Sequence, residues 1–145
     1  MKTSLYLVLL LSIFQISALV DSGKTLPAKE FKAKLEATKG ILIDVRTPEE
    51  FLCACIPGAV NINVQGKLWD ERIGKLDKTK TYFLYDGTGM RSGAAMEAMS
   101  KAGFKKLFDL KDGLMNWEKL ELPMIGAMGT CDLGTQSPGR RLPRG

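Results

Sequence analysis

The chain contains no histidine. That removes at once the commonest general base, the commonest zinc ligand and the side chain that ordinarily titrates near neutral pH. Cysteine is scarce and odd in number: Cys53, Cys55 and Cys131 form no recognisable disulfide framework. Long apolar runs are missing outside residues 1–20, and no internal repeat is visible. Nor is one sign of charge in marked excess. The net charge is +5; setting aside Lys2, and Arg140, Arg141 and Arg144 against Asp132, leaves about +2 for the central part. Its basic residues are scattered rather than aligned in a stripe, which argues against nucleic acid as a partner.

What remains is one domain's worth of chain, 145 residues with a hydrophobic fraction of 45% that can build a core. The two ends differ from the middle. Residues 1–20 read as an export signal (periplasmic or secreted): Lys2 supplies the positive start, residues 5–14 are apolar but for Ser12, and Ser17-Ala18 offers a small residue for cleavage. Ile16 stands where a small residue is preferred. An uncleaved membrane anchor is the alternative, although the apolar stretch of about 16 residues is short for a span. With the signal removed, no membrane contact is expected. Residues 21–25 read as a polar linker, 26–122 as the domain, and 123–145 as a disordered tail or sequence foreign to the domain, rich in Gly, Pro, Ser, Thr and Arg.

Within the domain, strand-like and helix-like segments alternate. Leu26, Phe31 and Leu35, with Lys and Glu between them, predict an amphipathic helix with a solvated lysine face, ended at Lys39-Gly40. Residues 41–45 predict a strand buried on both faces. Thr47-Pro48-Glu49-Glu50 is a helix start, with Thr47 as N-cap, proline in the first position and Glu50 completing a capping box. Residues 56–59 turn, and 60–64 alternate like a short strand. Trp69, Ile73 and Leu76 have helical spacing; 82–85 form a strand, 90–102 a helix ended by Gly103, 106–110 a strand, and a last short helix carries Leu114, Met115 and a core Trp117. Such alternation implies an α/β fold, a parallel sheet covered on both faces.

The loop after the strand at 82–85 is the candidate site. Asp86-Gly87-Thr88-Gly89-Met90-Arg91-Ser92 joins a buried strand to a helix, so the unpaired amides at the helix start suit an anion.

Three stretches carry a resemblance to a single rhodanese domain across roughly residues 26–120. They are Ile43-Asp44-Val45-Arg46-Thr47-Pro48-Glu49-Glu50-Phe51 leading to Ile56-Pro57-Gly58-Ala59, the loop ending in Arg91-Ser92-Gly93, and Asp112-Gly113-Leu114-Met115-Asn116-Trp117. The resemblance implies a parallel sheet of about five strands with helices on both faces. It also implies a sulfurtransferase, in which a cysteine at the loop's first position takes sulfane sulfur from a small donor such as thiosulfate. That cysteine would hold the persulfide in a cradle of N–H groups and pass the sulfur to a thiol or cyanide. No cofactor is implied. Only a soft thiolate suits this chemistry.

At that first position stands Asp86, with Gly87, Thr88, Gly89, Met90, Arg91 and Ser92 completing the cradle; Cys55 stands where the family usually has His. A carboxylate cannot form a persulfide but can fill an anion cradle itself. The chain is therefore expected to be inactive at the usual site and to act as a binding module for a thiol-bearing or anionic partner. The alternative is a sulfurtransferase using Cys53 or Cys55, or an active parent enzyme altered at Asp86. The resemblance further implies that Asp44 and Arg46 brace the loop.

Other readings are weaker. Asp86-Gly87-Thr88 is also similar to the haloacid dehalogenase motif, but Leu84 stands at the nucleophile's position. Cys53 and Cys55 would share one face of a strand and diverge in a helix; pairs so close rarely form an unstrained disulfide. They read as small buried residues, or as a redox or copper(I) pair with Met90. Cys131 reads as incidental.

Overall fold

In a computed structural model of the protein, residues 23–128 are described. The expected export signal and most of the expected tail, with Cys131, lie outside them. Seven strands and five helices alternate among the described residues: β1 (Lys24–Leu26), α1 (Ala28–Thr38), β2 (Ile41–Asp44), α2 (Pro48–Cys53), β3 (Ala54–Cys55), β4 (Val60–Asn61), α3 (Trp69–Gly74), β5 (Thr81–Tyr85), α4 (Met90–Lys101), β6 (Lys106–Leu110), α5 (Gly113–Lys119) and β7 (Ile125–Gly126).

Five strands form one sheet in the order β1-β6-β5-β2-β4, every pair parallel. This is the five-stranded parallel α/β architecture expected. β5 lies at its centre, and its alternating residues divide the core. Phe83 and Tyr85 face Phe31 of α1 and Leu114 and Trp117 of α5. Tyr82 and Leu84 face Ile73 of α3 and Ala95 and Met99 of α4. Each large apolar side chain so buried contributes about 1.5–3 kcal/mol. Trp117 is a core residue, 1% exposed.

The local signals act as the residues require. Thr47 Oγ1 accepts from the Glu50 amide while the Thr47 amide donates to Glu50 Oε2, a complete capping box with Pro48 at the first helical position. Two segments differ from the expected layout. Residues 24–26, placed mostly in a linker, form β1, pairing with Phe108–Leu110 at the sheet edge. Residues 123–128, placed in the tail, pack on the domain: Met124 and Met128 lie against the core, Trp117 Nε1 donates to the Pro123 carbonyl, and β7 pairs antiparallel with β3. Both strands are too short for a periodic signal, and their place is set by the edges they meet. The strand expected over 60–64 is hydrogen-bonded as β4 only at its start; Ile62 and Val64 continue it by donating to the carbonyls of Asp44 and Val45.

Candidate functional site

The loop sits at the carboxyl end of the central strand, where β5 gives way to α4. Its first residue, Asp86, is 1% exposed and does not face solvent. Its carboxylate is surrounded by donors from its own loop. Oδ1 accepts from the Gly89 amide at 2.6 Å and from Ser92 Oγ at 3.0 Å; Oδ2 accepts from the Arg91 amide at 3.3 Å and Arg91 Nε at 3.5 Å. Gly89, at φ +93, makes the turn that aims these groups inward, a conformation that favours glycine. α4 begins at the next residue, so its amino end and dipole bear on the same carboxylate. The anion position at the head of the helix is thus occupied by a side chain of the loop itself.

The back of the loop is held by α5. The amides of Leu114 and Met115 donate to the carbonyls of Asp86 and Gly87 at 2.8 and 3.0 Å. This approach requires Gly113, where a Cβ would lie 2.5 Å from Gly87 C and Thr88 N. Thr88 and Met90 turn outward, Met90 being 80% exposed, so they form the outer rim of the loop rather than its lining.

Arg91 ties the front of the loop to α2. Its Nη1 and Nη2 donate to the two carboxylate oxygens of Glu50, each at 2.8 Å. The hydrogen bonds from Arg91 hold the Glu50 carboxyl well below its ordinary range, at about 2, and Glu50 in turn raises the guanidinium.

Asp44 and Arg46 form a buried ion pair below. Arg46 Nε donates to Asp44 Oδ1 and Oδ2 at 3.0 and 3.1 Å, and Nη2 donates to Oδ2 at 2.6 Å and to the Ala54 carbonyl. Burial opposes the charge on Arg46, but Asp44 outweighs it and the guanidinium is raised. The pair fastens β2 to the start of β3. It reaches the loop through Tyr85, whose ring lies beside Arg46 and whose hydroxyl accepts from the Ile56 amide at 3.1 Å. Burial first, then the charge of Asp44, raises that phenol so that it stays protonated.

The two cysteines do not lie in one strand. Cys53 ends α2 and is disulfide-bonded, whereas Cys55 lies buried in β3, 7% exposed. The alternative reading placed the reactive thiol at Cys53 or Cys55; Cys53 has none to offer in this state, since its sulfur is already committed.

One group had no role in the sequence reading beyond its place in a strand. Asp109 of β6 is 2% exposed and close enough to Asp86 to feel its charge. Thr25 Oγ1 donates to its Oδ2 at 3.4 Å, and its Oδ1 has no hydrogen-bond partner among the described residues. Burial first, and then the neighbouring Asp86, pushes this carboxyl up to about 6. A lone acid in the apolar run Leu107-Phe108-Asp109-Leu110 was the available signal.

Comparison with known proteins bears on the family and the fold. The chain is 29% identical over 119 residues to the Escherichia coli K12 protein YibN, covering 76% of this chain and 82% of that one. It is 34% identical over 108 residues to a Mycobacterium tuberculosis protein named as the probable adenylyltransferase/sulfurtransferase MoeZ, but spans only 28% of that protein's length. Its fold is similar to a crystal structure of a rhodanese-related protein from Thermoplasma volcanium, with TM-score 0.63 and 25% identity over 70% of this chain and 97% of that one. The rhodanese-like domain matches residues 27–120, a span that holds the central strands, the loop and the glycine that presses on it, and the chain therefore belongs to the rhodanese-like family.

Proposed function

We propose that this chain is a rhodanese-like domain that carries no sulfur at its loop and acts as a binding module, with Asp86 standing where the family's persulfide-bearing cysteine stands. The observation that supports this reading is the set of donors around Asp86: two amides, a hydroxyl and a guanidinium already engaged by the carboxylate. Persulfide chemistry needs a thiolate at that point. A filled cradle leaves neither a nucleophile nor an empty anion site. The surface left for a partner, thiol-bearing or anionic, is the rim formed by Thr88, Met90 and the Arg91–Glu50 pair. In the same reading residues 1–20 direct export. Finding the chain only in the cytoplasm would contradict that part.

Thiosulfate:cyanide turnover tests the proposal. The unaltered chain is expected to show none, and Asp86→Cys to show some, because the substitution restores a thiol among the same donors. Robust turnover by the unaltered chain, abolished by Cys55→Ser, would overturn the binding-module reading in favour of a displaced thiol site.

A further inference from the structure

Lysines that are scattered along the sequence are gathered by the topology at one end of the sheet. The strands of the main sheet all run parallel, so all of them open at the same end. The three central strands are each entered through lysine: β2 after Lys39, β5 after Lys78 and Lys80, and β6 at Lys105 and Lys106. Thr81 is in register with Lys106, and Tyr82 with Ile41. Extended one residue back, that register sets Lys80 beside Lys105 at the strand spacing of about 4.8 Å, with Lys39 entering on the other side. All five side chains are exposed. Asp77 is the one acid in the segments that lead into these strands, and its carboxylate accepts from the amide and hydroxyl of Thr79 in its own turn. The opposite, carboxyl ends of the same strands carry Asp44, Asp86 and Asp109. Lys39 sits at the C-cap of α1, where the helix dipole alone favours it, but Lys80 and Lys106 adjoin strands and have no such reason to be basic.

We propose that this lysine end is a docking surface for an anionic lipid membrane, and that it holds the domain with the Asp86 loop turned away from the lipid. Lysine is a compact point charge that suits a plane of mobile headgroup phosphates. A nucleic-acid partner would favour arginine forks and exposed aromatic rings. The lysine end offers neither: its basic groups are all lysine, and Phe104, over which Lys78 lies, is 1% exposed. The chain also enters the domain here. β1 is parallel to β6 and opens at the same end, and in the sequence the apolar stretch of residues 5–20 precedes it by only a few residues. At this end the proposal replaces the expectation that no membrane contact remains once residues 1–20 are removed. The interaction is electrostatic, with no covalent step, and is independent of what the loop binds.

The test is sedimentation of the full chain with vesicles of phosphatidylcholine alone and of phosphatidylcholine mixed with phosphatidylglycerol. Comparing the two separates the lysine end from any apolar insertion by residues 1–20, which needs no anionic lipid. Tighter binding to the mixed vesicles is expected, weakening steeply as salt is raised. Each lysine at the surface is worth about fivefold in affinity, so Lys80→Gln combined with Lys105→Gln should weaken binding to the mixed vesicles about twentyfold. Lys67→Gln combined with Lys111→Gln, two lysines that follow the carboxyl ends of β4 and β6, should leave it unchanged. Both pairs are exposed, and circular dichroism checks that each variant stays folded. Equal binding to the two vesicle types would overturn the proposal, as would an equal loss from the two pairs of substitutions. Displacement from the vesicles by duplex DNA at equal phosphate concentration would assign the surface to nucleic acid and overturn it too.

Discussion

The Arg91 guanidinium holds both carboxylate oxygens of Glu50 at 2.8 Å, joining residues 41 positions apart in the chain. Glu50 is also the third residue of α2 and accepts from the Thr47 amide through Oε2. One side chain therefore closes a local helix cap and clamps the candidate loop to a distant helix. The planar, two-pronged geometry suits arginine, and lysine could not reproduce it.

Acid should loosen this clamp. The Glu50 carboxyl is depressed from 4.5 to about 2 in the folded chain, so its stabilising contribution is present above the unfolded value and is lost as pH falls toward 2. The pair is partly exposed, with side-chain exposures of 28% and 37%, and solvent screening limits the contribution to about 1 kcal/mol. Urea denaturation at pH 6 and pH 3 should show a smaller loss on acidification for Glu50→Gln than for the unaltered chain.

Removing the anion from the loop should cost stability. Asp86→Ala leaves the Gly89 and Arg91 amides and the Ser92 hydroxyl without their acceptor, at roughly 2–3 kcal/mol. Asp86→Asn keeps one acceptor oxygen and should lose less. The denaturation midpoints of the two variants check the order, and an unchanged midpoint for Asp86→Ala would contradict the account.

Gly113→Ala should be far more damaging than Gly58→Ala, although both glycines have positive φ. At Gly113 a Cβ meets loop backbone at 2.5 Å, whereas at Gly58 nothing lies within 4 Å. The strained conformation alone costs about 1 kcal/mol, and displacing backbone adds roughly 2–3 kcal/mol more. Thermal unfolding of the two variants separates the terms, and chemical-shift changes at residues 87–91 should accompany only Gly113→Ala.

Arg46→Ala should cost about 3–5 kcal/mol, since it leaves the Asp44 carboxylate buried without its counter-charge and the Ala54 carbonyl without its donor. Arg46→Lys should recover only part of this loss, because one ammonium cannot hold both Asp44 oxygens and the carbonyl. Urea titration of both variants measures the difference.

Much of the fold is legible because its causes are local. The capping box of Thr47 and Glu50, the run of Ile41–Asp44 and the helix after Gly89 follow from nearest-neighbour chemistry and spacing that any window of the chain displays. The loop was legible for the same reason, since a buried strand, a glycine turn and a helix start are contiguous. The sequence also determined by itself that the loop's first group is a carboxylate and that no histidine is at hand. Where that carboxylate points was decided by the tertiary structure. α5 presses on the loop through Gly113, α2 reaches Arg91 through Glu50, and the side chain of Asp86 turns inward onto its own amides. The same is true of Asp109: the burial and the nearby charge of Asp86 that push its carboxyl up arise only when the chain packs around it. Burial and the proximity of like charge depend on distances in space, and these are properties of the packed chain that no local window contains.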